Sequence, residues 1–203
     1  MPQPPAASPG AAPAYYMFME DDFRLCPRGA EALAYLLAKA GATAAARGAA
    51  WNAIRVSYGL NGGVIPLRDA PLLYGYYAEH LARRPPDHLY VEWFAGERPQ
   101  SAAHKAGRPH LAFRYNVLEH FGFTSSLRAE KSPVYPFCYD EMDGRVVFEV
   151  EAYKVGECGH EDIWPCPPPG QPVALARSAI PFDELREASR NASLQRWGKQ
   201  PPG

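Results

Sequence analysis

The chain has 203 residues, which is enough for one domain with a substantial buried core. Its formal net charge is −1 and no basic stripe stands out, so the composition argues against nucleic-acid binding. No apolar run is long enough to span a membrane, and the Pro/Ala-rich residues 1–14, which we expect to be disordered, lack the features of a signal peptide.

The first predicted strand is an apolar, aromatic run at residues 15–19 (YYMFM), which ends in three acids, Glu20, Asp21 and Asp22. A continuous apolar run predicts a strand that is buried on both faces, as in a parallel sheet. Ligands of open α/β sheets bind at the carboxyl ends of strands, so the acids are well placed for a site. Mg²⁺ and Mn²⁺ prefer such oxygen ligands. A solvated turn without a ligand is the alternative.

A helix is predicted to begin at Pro27 and to end at Gly41, followed by a loop of small residues at 42–50. The apolar face of this helix, spaced at i, i+3, i+4 and i+7, consists of Leu33, Leu36, Leu37 and Ala40. Residues 51–58 then alternate apolar and polar side chains, as in a strand with one polar face.

The segment after this strand contains Asn61, Gly62 and Gly63. Glycine accepts positive φ and lets the backbone approach a ligand closely, so these three residues are candidate ligand-binding positions. A plain tight turn between two strands is the alternative interpretation.

Two helices and a strand are predicted in the middle of the chain. Asp69 is expected to cap a helix that carries Pro71 in its first turn. A short helix at residues 87–94 follows, and then a flexible loop at 96–109. The alternating side chains of residues 111–115 predict the next strand.

The C-terminal part has a different composition, rich in Cys and Pro, and predicts a small β/Cys-rich extension over residues 131–182. A hairpin-type turn at Asp143-Gly144 precedes a predicted strand at 146–152. A disulfide between Cys158 and Cys166 would suit an oxidising lumen, and four reduced thiols fit the sequence equally well. Residues 183–197 predict a short helix within a C-terminal segment, 183–203, whose end frays.

Taken in order, four stretches resemble the C-terminal half of a GT-A glycosyltransferase, in particular the N-acetylglucosaminyltransferase IV group. These stretches are residues 15–22 (YYMFMEDD), 51–58 with the glycine-rich loop after them, 84–93 (RPPDHLYVEW) and 113–127 (FRYNVLEHFGFTSSL). The resemblance implies an α/β fold: a partial GT-A (Rossmann-like) mixed sheet flanked by helices over residues 15–130. The nucleotide-binding half that precedes it in the family is expected to be missing.

The resemblance also implies a chemistry, namely a metal-dependent inverting transfer of a sugar such as N-acetylglucosamine from a UDP-sugar to a glycan or glycoconjugate, in the Golgi or secretory lumen. The metal, Mn²⁺ or Mg²⁺, would be bound by Asp22 and His120. The residues implied for binding the nucleotide-sugar are Glu20, Asp21, Asn61, Gly62 and Gly63. The catalytic base would be Glu92, with Asp87 as the second candidate.

Two other functions are compatible with the sequence. The first is a non-catalytic remnant of such a domain that binds a glycan or a protein. The second is another metal-dependent reaction, such as phosphoester hydrolysis, which would need further carboxylates at the site. Glu149 and Glu151 are the obvious spare acids for it.

Overall fold

The computed structural model describes residues 14–58, 61–121, 136–142, 153–166 and 178–197. These residues form a mixed sheet flanked by helices, which confirms the predicted α/β class. In this part of the chain no helix is both long and apolar enough to cross a membrane, as the sequence predicted.

Within the described residues, the main sheet has five strands in the order β1-β4-β3-β5-β7. These strands are β1 (Tyr15–Phe18), β3 (Ala53–Arg55), β4 (Gly63–Pro66), β5 (His110–Phe113) and β7 (Ile163–Trp164). Only the β3–β5 pair is parallel among the described strands, and the other neighbours are antiparallel. A separate two-stranded ribbon joins β2 (Phe23–Leu25) to β6 (Leu118–His120) in antiparallel register.

Strand β1 lies at the edge of the sheet, so the prediction of a strand buried on both faces in a parallel sheet was wrong. Among the described strands it pairs with β4 alone, in antiparallel register, and Tyr16 is 40% exposed. The aromatic residues still contribute to the core, because Tyr15 stacks on Trp51 and Phe18 packs against Tyr90. Aromatic residues suit edge and central strands alike, so the composition of the run did not determine its position.

Helix α1 extends over Gly29–Arg47, so the predicted end at Gly41 was wrong, as was the loop predicted to follow it. The alanine-rich residues beyond Gly41 favour helix strongly enough to outweigh the cost of one glycine. The helix ends instead at Gly48, whose φ of 64° is the left-handed conformation typical of a C-terminal cap.

Strand β3 is shorter than predicted and has no exposed polar face. The expected polar residues, Arg55 and Ser57, are both buried. The reason is that helices cover both faces of the sheet. Ile54 packs in a cluster with Leu36 of α1, and Ala53 packs in a second cluster on the opposite face.

That opposite face is covered by α2 (Ala70–His80) and α3 (Pro86–Ala95), and α3 confirms the short helix predicted there. Asp69 precedes α2 as predicted, but its carboxylate pairs with Arg108 instead of capping the helix. The predicted loop at 96–109 was wrong in part, because Pro99–Lys105 forms helix α4.

The C-terminal segments are attached to this sheet by several kinds of contact. Two disulfides, Cys26–Cys138 and Cys158–Cys166, resolve the question that the sequence left open. Lys39 of α1 is buried and donates hydrogen bonds to Glu161 and, at 2.7 Å, to Asp162.

Two further helices belong to this part of the chain, α5 (Val155–Cys158) and α6 (Phe182–Trp197), of which α6 confirms the predicted C-terminal helix. The predicted turn at Asp143-Gly144, the strand at 146–152 and the N-terminal residues 1–13 lie outside the described residues. The predicted division of the chain into residues 1–14, 15–130, 131–182 and 183–203 stays a prediction.

Candidate functional site

The three acids form the turn between β1 and β2. The amide of Phe23 donates to the carbonyl of Glu20 at 3.3 Å and so closes the turn. The side chains of Glu20 and Asp21 are exposed, and that of Asp22 is 41% exposed. Because the carboxylates project from a surface turn, water and a cation can both reach them.

The β2–β6 ribbon places His120 beside Asp22. Phe23 and His120 are paired residues in this ribbon, and the amide of Phe121 donates to the carbonyl of Asp22 at 2.9 Å. The Nε2 atom of His120 lies 2.8 Å from Oδ2 of Asp22. The structure therefore brings together two predicted metal ligands that are separated by 98 residues in the chain.

Asn61 holds Glu20 through two hydrogen bonds. Its Oδ1 atom accepts from the backbone amide of Glu20 at 2.6 Å, and its Nδ2 atom donates to Oε2 of Glu20 at 2.5 Å. The side chain of Asn61 is buried, so this contact fixes both the backbone and the carboxylate at the start of the turn.

Gly62 and Gly63 are required by close backbone packing. Gly62 has a φ of +71°, and an added Cβ would lie 2.6 Å from Ser57. Its amide donates to the carbonyl of Phe18 at 2.8 Å. A Cβ on Gly63 would lie 1.5 Å from the hydroxyl oxygen of Tyr90. Both glycines are therefore explained by the fold, and any contact with a donor sugar stays a prediction.

Asp22 and His120 form a direct hydrogen bond or ion pair, and their separation of 2.8 Å is also one that two ligands of a single ion can have. Ligands roughly 2.1 Å from an ion and at right angles to each other lie about 3.0 Å apart, close to the observed separation of these two atoms. Among the described residues, no third His, Cys, Asp or Glu completes a three-residue metal site here. An ion bound by this pair would complete its coordination with water or with ligand oxygens, as Mg²⁺ commonly does.

Glu92 occupies a very different environment from the acidic turn. It is buried in α3, and its carboxylate accepts hydrogen bonds from the hydroxyl of Tyr76 and from both terminal nitrogens of Arg83. Hydrogen bonding by Arg83, with further contributions from Tyr76 and Arg84, lowers the pKa of Glu92 to about 2 although burial opposes this shift. A carboxylate of this kind is a weak base.

Asp87 is the more accessible of the two candidate bases. It lies in the first turn of α3, is half-buried, and accepts a hydrogen bond from the amide of His88 at 2.9 Å. No hydrogen bond or ion pair among the described residues joins Asp87 or Glu92 to the acidic turn or to His120.

The arginines around Glu92 were not identified from the sequence. Arg83 and Arg84 are adjacent residues after α2, and Arg98 precedes α4, so the three reach Glu92 from two segments on either side of α3. The sequence pointed to this region only through the Arg-Pro segment at residues 84–93. The Arg24–Glu119 ion pair at 2.8 Å, next to Asp22 and His120 on the ribbon, was missed because β2 was not predicted.

Comparison with family models, with curated proteins and with solved structures found no match.

Proposed function

We propose that this chain binds a divalent metal ion and a UDP-sugar at the acidic turn and takes part in glycosyl transfer. The observation that supports this proposal is the contact between Asp22 and His120, at 2.8 Å. The motif resemblance implied that these two residues share a metal ion, and such a role requires them to be neighbours.

Asp22 and His120 are the proposed ligands of the ion. The imidazole favours Mn²⁺ over Mg²⁺, because Mg²⁺ binds oxygen ligands almost exclusively. When bound, the ion would neutralise charge on the diphosphate of the donor. Glu20 and Asp21 would bind the ribose or metal-bound water, and Asn61 keeps Glu20 in a fixed orientation for this role.

Asp87 is the base that we propose for the acceptor hydroxyl. Sequence position alone favoured Glu92, but the arginines around Glu92 hold its pKa at about 2 and occupy both of its oxygens. Asp87 is half-buried whereas Glu92 is 1% exposed, so an acceptor reaches Asp87 more readily. Glu92 then has a different role, as the group that organises the arginines.

The two disulfides support a location in an oxidising compartment such as the secretory lumen, where glycan acceptors are also found. A non-catalytic glycan- or protein-binding role is the second candidate. It is favoured by one observation, that neither candidate base contacts the proposed metal site within the described part of the chain.

Thermal unfolding with UDP and Mn²⁺ tests the proposal. UDP is expected to raise the melting temperature only when Mn²⁺ is present, and Asp22→Asn is expected to abolish this shift. Glu31→Gln is the matched control, because Glu31 is an exposed acid that pairs with Arg28 on α1. No UDP-dependent shift in the wild-type protein would contradict the proposal.

Transfer from a UDP-sugar distinguishes the two candidate functions. Asp87→Asn is expected to keep the UDP-dependent shift and to lose at least about a hundredfold in transfer rate. A wild-type protein that binds UDP but catalyses neither transfer nor hydrolysis of the donor would favour the non-catalytic role.

A further inference from the structure

Three arginines surround the buried carboxylate of Glu92, and they come from two segments of the chain, residues 83–84 and residue 98. Oε2 of Glu92 lies 2.9 Å from the Nη1 atoms of both Arg83 and Arg84. The Nε atom of Arg98 lies 4.0 Å from Oε1, which also accepts from Tyr76. One carboxylate is thus shared by three guanidinium groups.

Positive charge exceeds negative charge in this cluster. Within the described residues, the acids that form ion pairs with these three arginines are Glu92 and Glu97, the latter 3.5 Å from Arg84. Three cations against two anions leave an excess of one positive charge. Repulsion between the neighbouring guanidinium groups would be relieved by a bound anion.

The guanidinium groups remain accessible to a ligand. The side chains of Arg83, Arg84 and Arg98 are 31%, 42% and 49% exposed, whereas that of Glu92 is 1% exposed. Each guanidinium group has five N–H donors, and the contacts to Glu92 occupy a minority of the fifteen. Glu92 therefore holds the three arginines through a minority of their N–H donors. The other donors belong to partly exposed side chains and are open to a ligand.

We propose that Arg83, Arg84 and Arg98 form a binding site for a phosphate or sulfate group, with Glu92 as its buried organiser. The planar, multidentate guanidinium group matches the geometry of such oxyanions, and clustered arginines are a common way to recognise them. Because Glu92 holds the side chains in place, less conformational entropy is lost when the anion binds. No hydrogen bond or ion pair among the described residues joins this cluster to the acidic turn, so phosphate binding here does not require the metal ion proposed above.

Nuclear magnetic resonance of the arginine side chains tests this proposal directly. Inorganic phosphate is titrated at constant ionic strength while the Nε–Hε resonances are followed in the full-length protein. We expect saturable shifts at Arg83, Arg84 and Arg98. Arg24 and Arg28 serve as internal controls, because both are exposed arginines paired with a single glutamate and should not shift.

The double variant Arg84→Gln/Arg98→Gln provides the second measurement. The side chains are 42% and 49% exposed, and Arg83 keeps both of its hydrogen bonds to Glu92, so the fold should be retained, which the melting temperature of the variant will verify. The dissociation constant for phosphate is expected to rise by about tenfold or more. Equal shifts at all arginines, or unchanged phosphate binding by the double variant, would overturn the proposal.

Two further arms separate this site from the proposed metal site and identify the source of the oxyanion. Phosphate binding should persist in Asp22→Asn, even if that variant and the wild-type protein both fail to bind Mn²⁺. Competition between UDP and phosphate for the arginine resonances would identify the nucleotide as the source. Binding of phosphate or sulfate without competition from UDP would indicate an oxyanion on another molecule.

Discussion

The Glu92 carboxylate accepts hydrogen bonds at both oxygens, and the positive charges around it stabilise its ionised form. Its neighbour on the same helix, Asp87, is only half-buried and has no such partners among the described ion pairs. The two acids are only five positions apart on one helix. Their environments nevertheless differ, because Glu92 is surrounded by arginines and Asp87 is not.

Replacing Glu92 by Gln should lower the free energy of unfolding by about 3 kcal/mol at pH 7, because the variant leaves three arginines without their buried counter-ion. The pKa of Glu92 in the fold is about 2, below the 4.5 of an ordinary glutamate. The ionised group therefore stabilises the protein above about pH 4.5, and this contribution is lost as the pH falls toward 2.

Urea unfolding at pH 7 and at pH 3 measures this effect. The difference between wild type and Glu92→Gln should be smaller at pH 3 than at pH 7. Glu31→Gln removes an exposed ion pair and should change the stability little at either pH. An equally large loss for both variants, or a difference that grows at low pH, would contradict the account.

At the scale of elements, sequence periodicity predicted which segments are regular better than it predicted where they end or where they lie. The apolar spacing in α1 was sufficient to predict a helix, but its end depends on the alanines after Gly41 and on Gly48. The run at residues 15–19 is a strand as predicted, yet its position at the sheet edge depends on pairing with the distant strand β4.

The glycines of β4 and α1 are expected to respond in opposite ways to substitution. Gly63→Ala should lower the free energy of unfolding by about 3 kcal/mol, because its Cβ would meet the ring of Tyr90 of α3. Gly41→Ala should raise it by about 0.5 to 1 kcal/mol, since no atom lies within 4 Å of the added Cβ and alanine favours helix.

Urea unfolding of the two variants provides the comparison, with the far-ultraviolet circular dichroism of each as a check on the fold. A neutral Gly63→Ala variant would show that α3 does not pack against β4 as described. A destabilised Gly41→Ala variant would contradict the uninterrupted course of α1.

At the scale of the whole molecule, the candidate site depends on long-range pairing that residue patterns do not reveal. The acidic turn could be located from the sequence because it follows an apolar strand. Its contact with His120 was implied only by the motif resemblance, since the β2–β6 ribbon carries no clear sequence signal. The arginine cluster was missed because Arg98 lies in a different segment from Arg83 and Arg84, and the fold alone brings both segments to Glu92.

The two disulfides should contribute unequally to the stability of the whole chain. Cys26 and Cys138 are separated by 112 residues, and Cys158 and Cys166 by 8. Chain entropy predicts a loss of about 5 kcal/mol for Cys26→Ser/Cys138→Ser and of about 2.5 kcal/mol for Cys158→Ser/Cys166→Ser. Urea unfolding of the double variants measures both, and a larger loss for the second pair would contradict this ranking.

The most direct test of the claim that Asp22 and His120 bind a metal ion is a titration of Mn²⁺ followed by electron paramagnetic resonance. The signal of free Mn²⁺ decreases as the ion binds to the protein. The account predicts one site per chain, weakened about tenfold or more by either Asp22→Asn or His120→Gln, with Glu31→Gln binding like the wild type. Unchanged Mn²⁺ binding in both Asp22→Asn and His120→Gln, or no binding by the wild-type protein with UDP present, would contradict it.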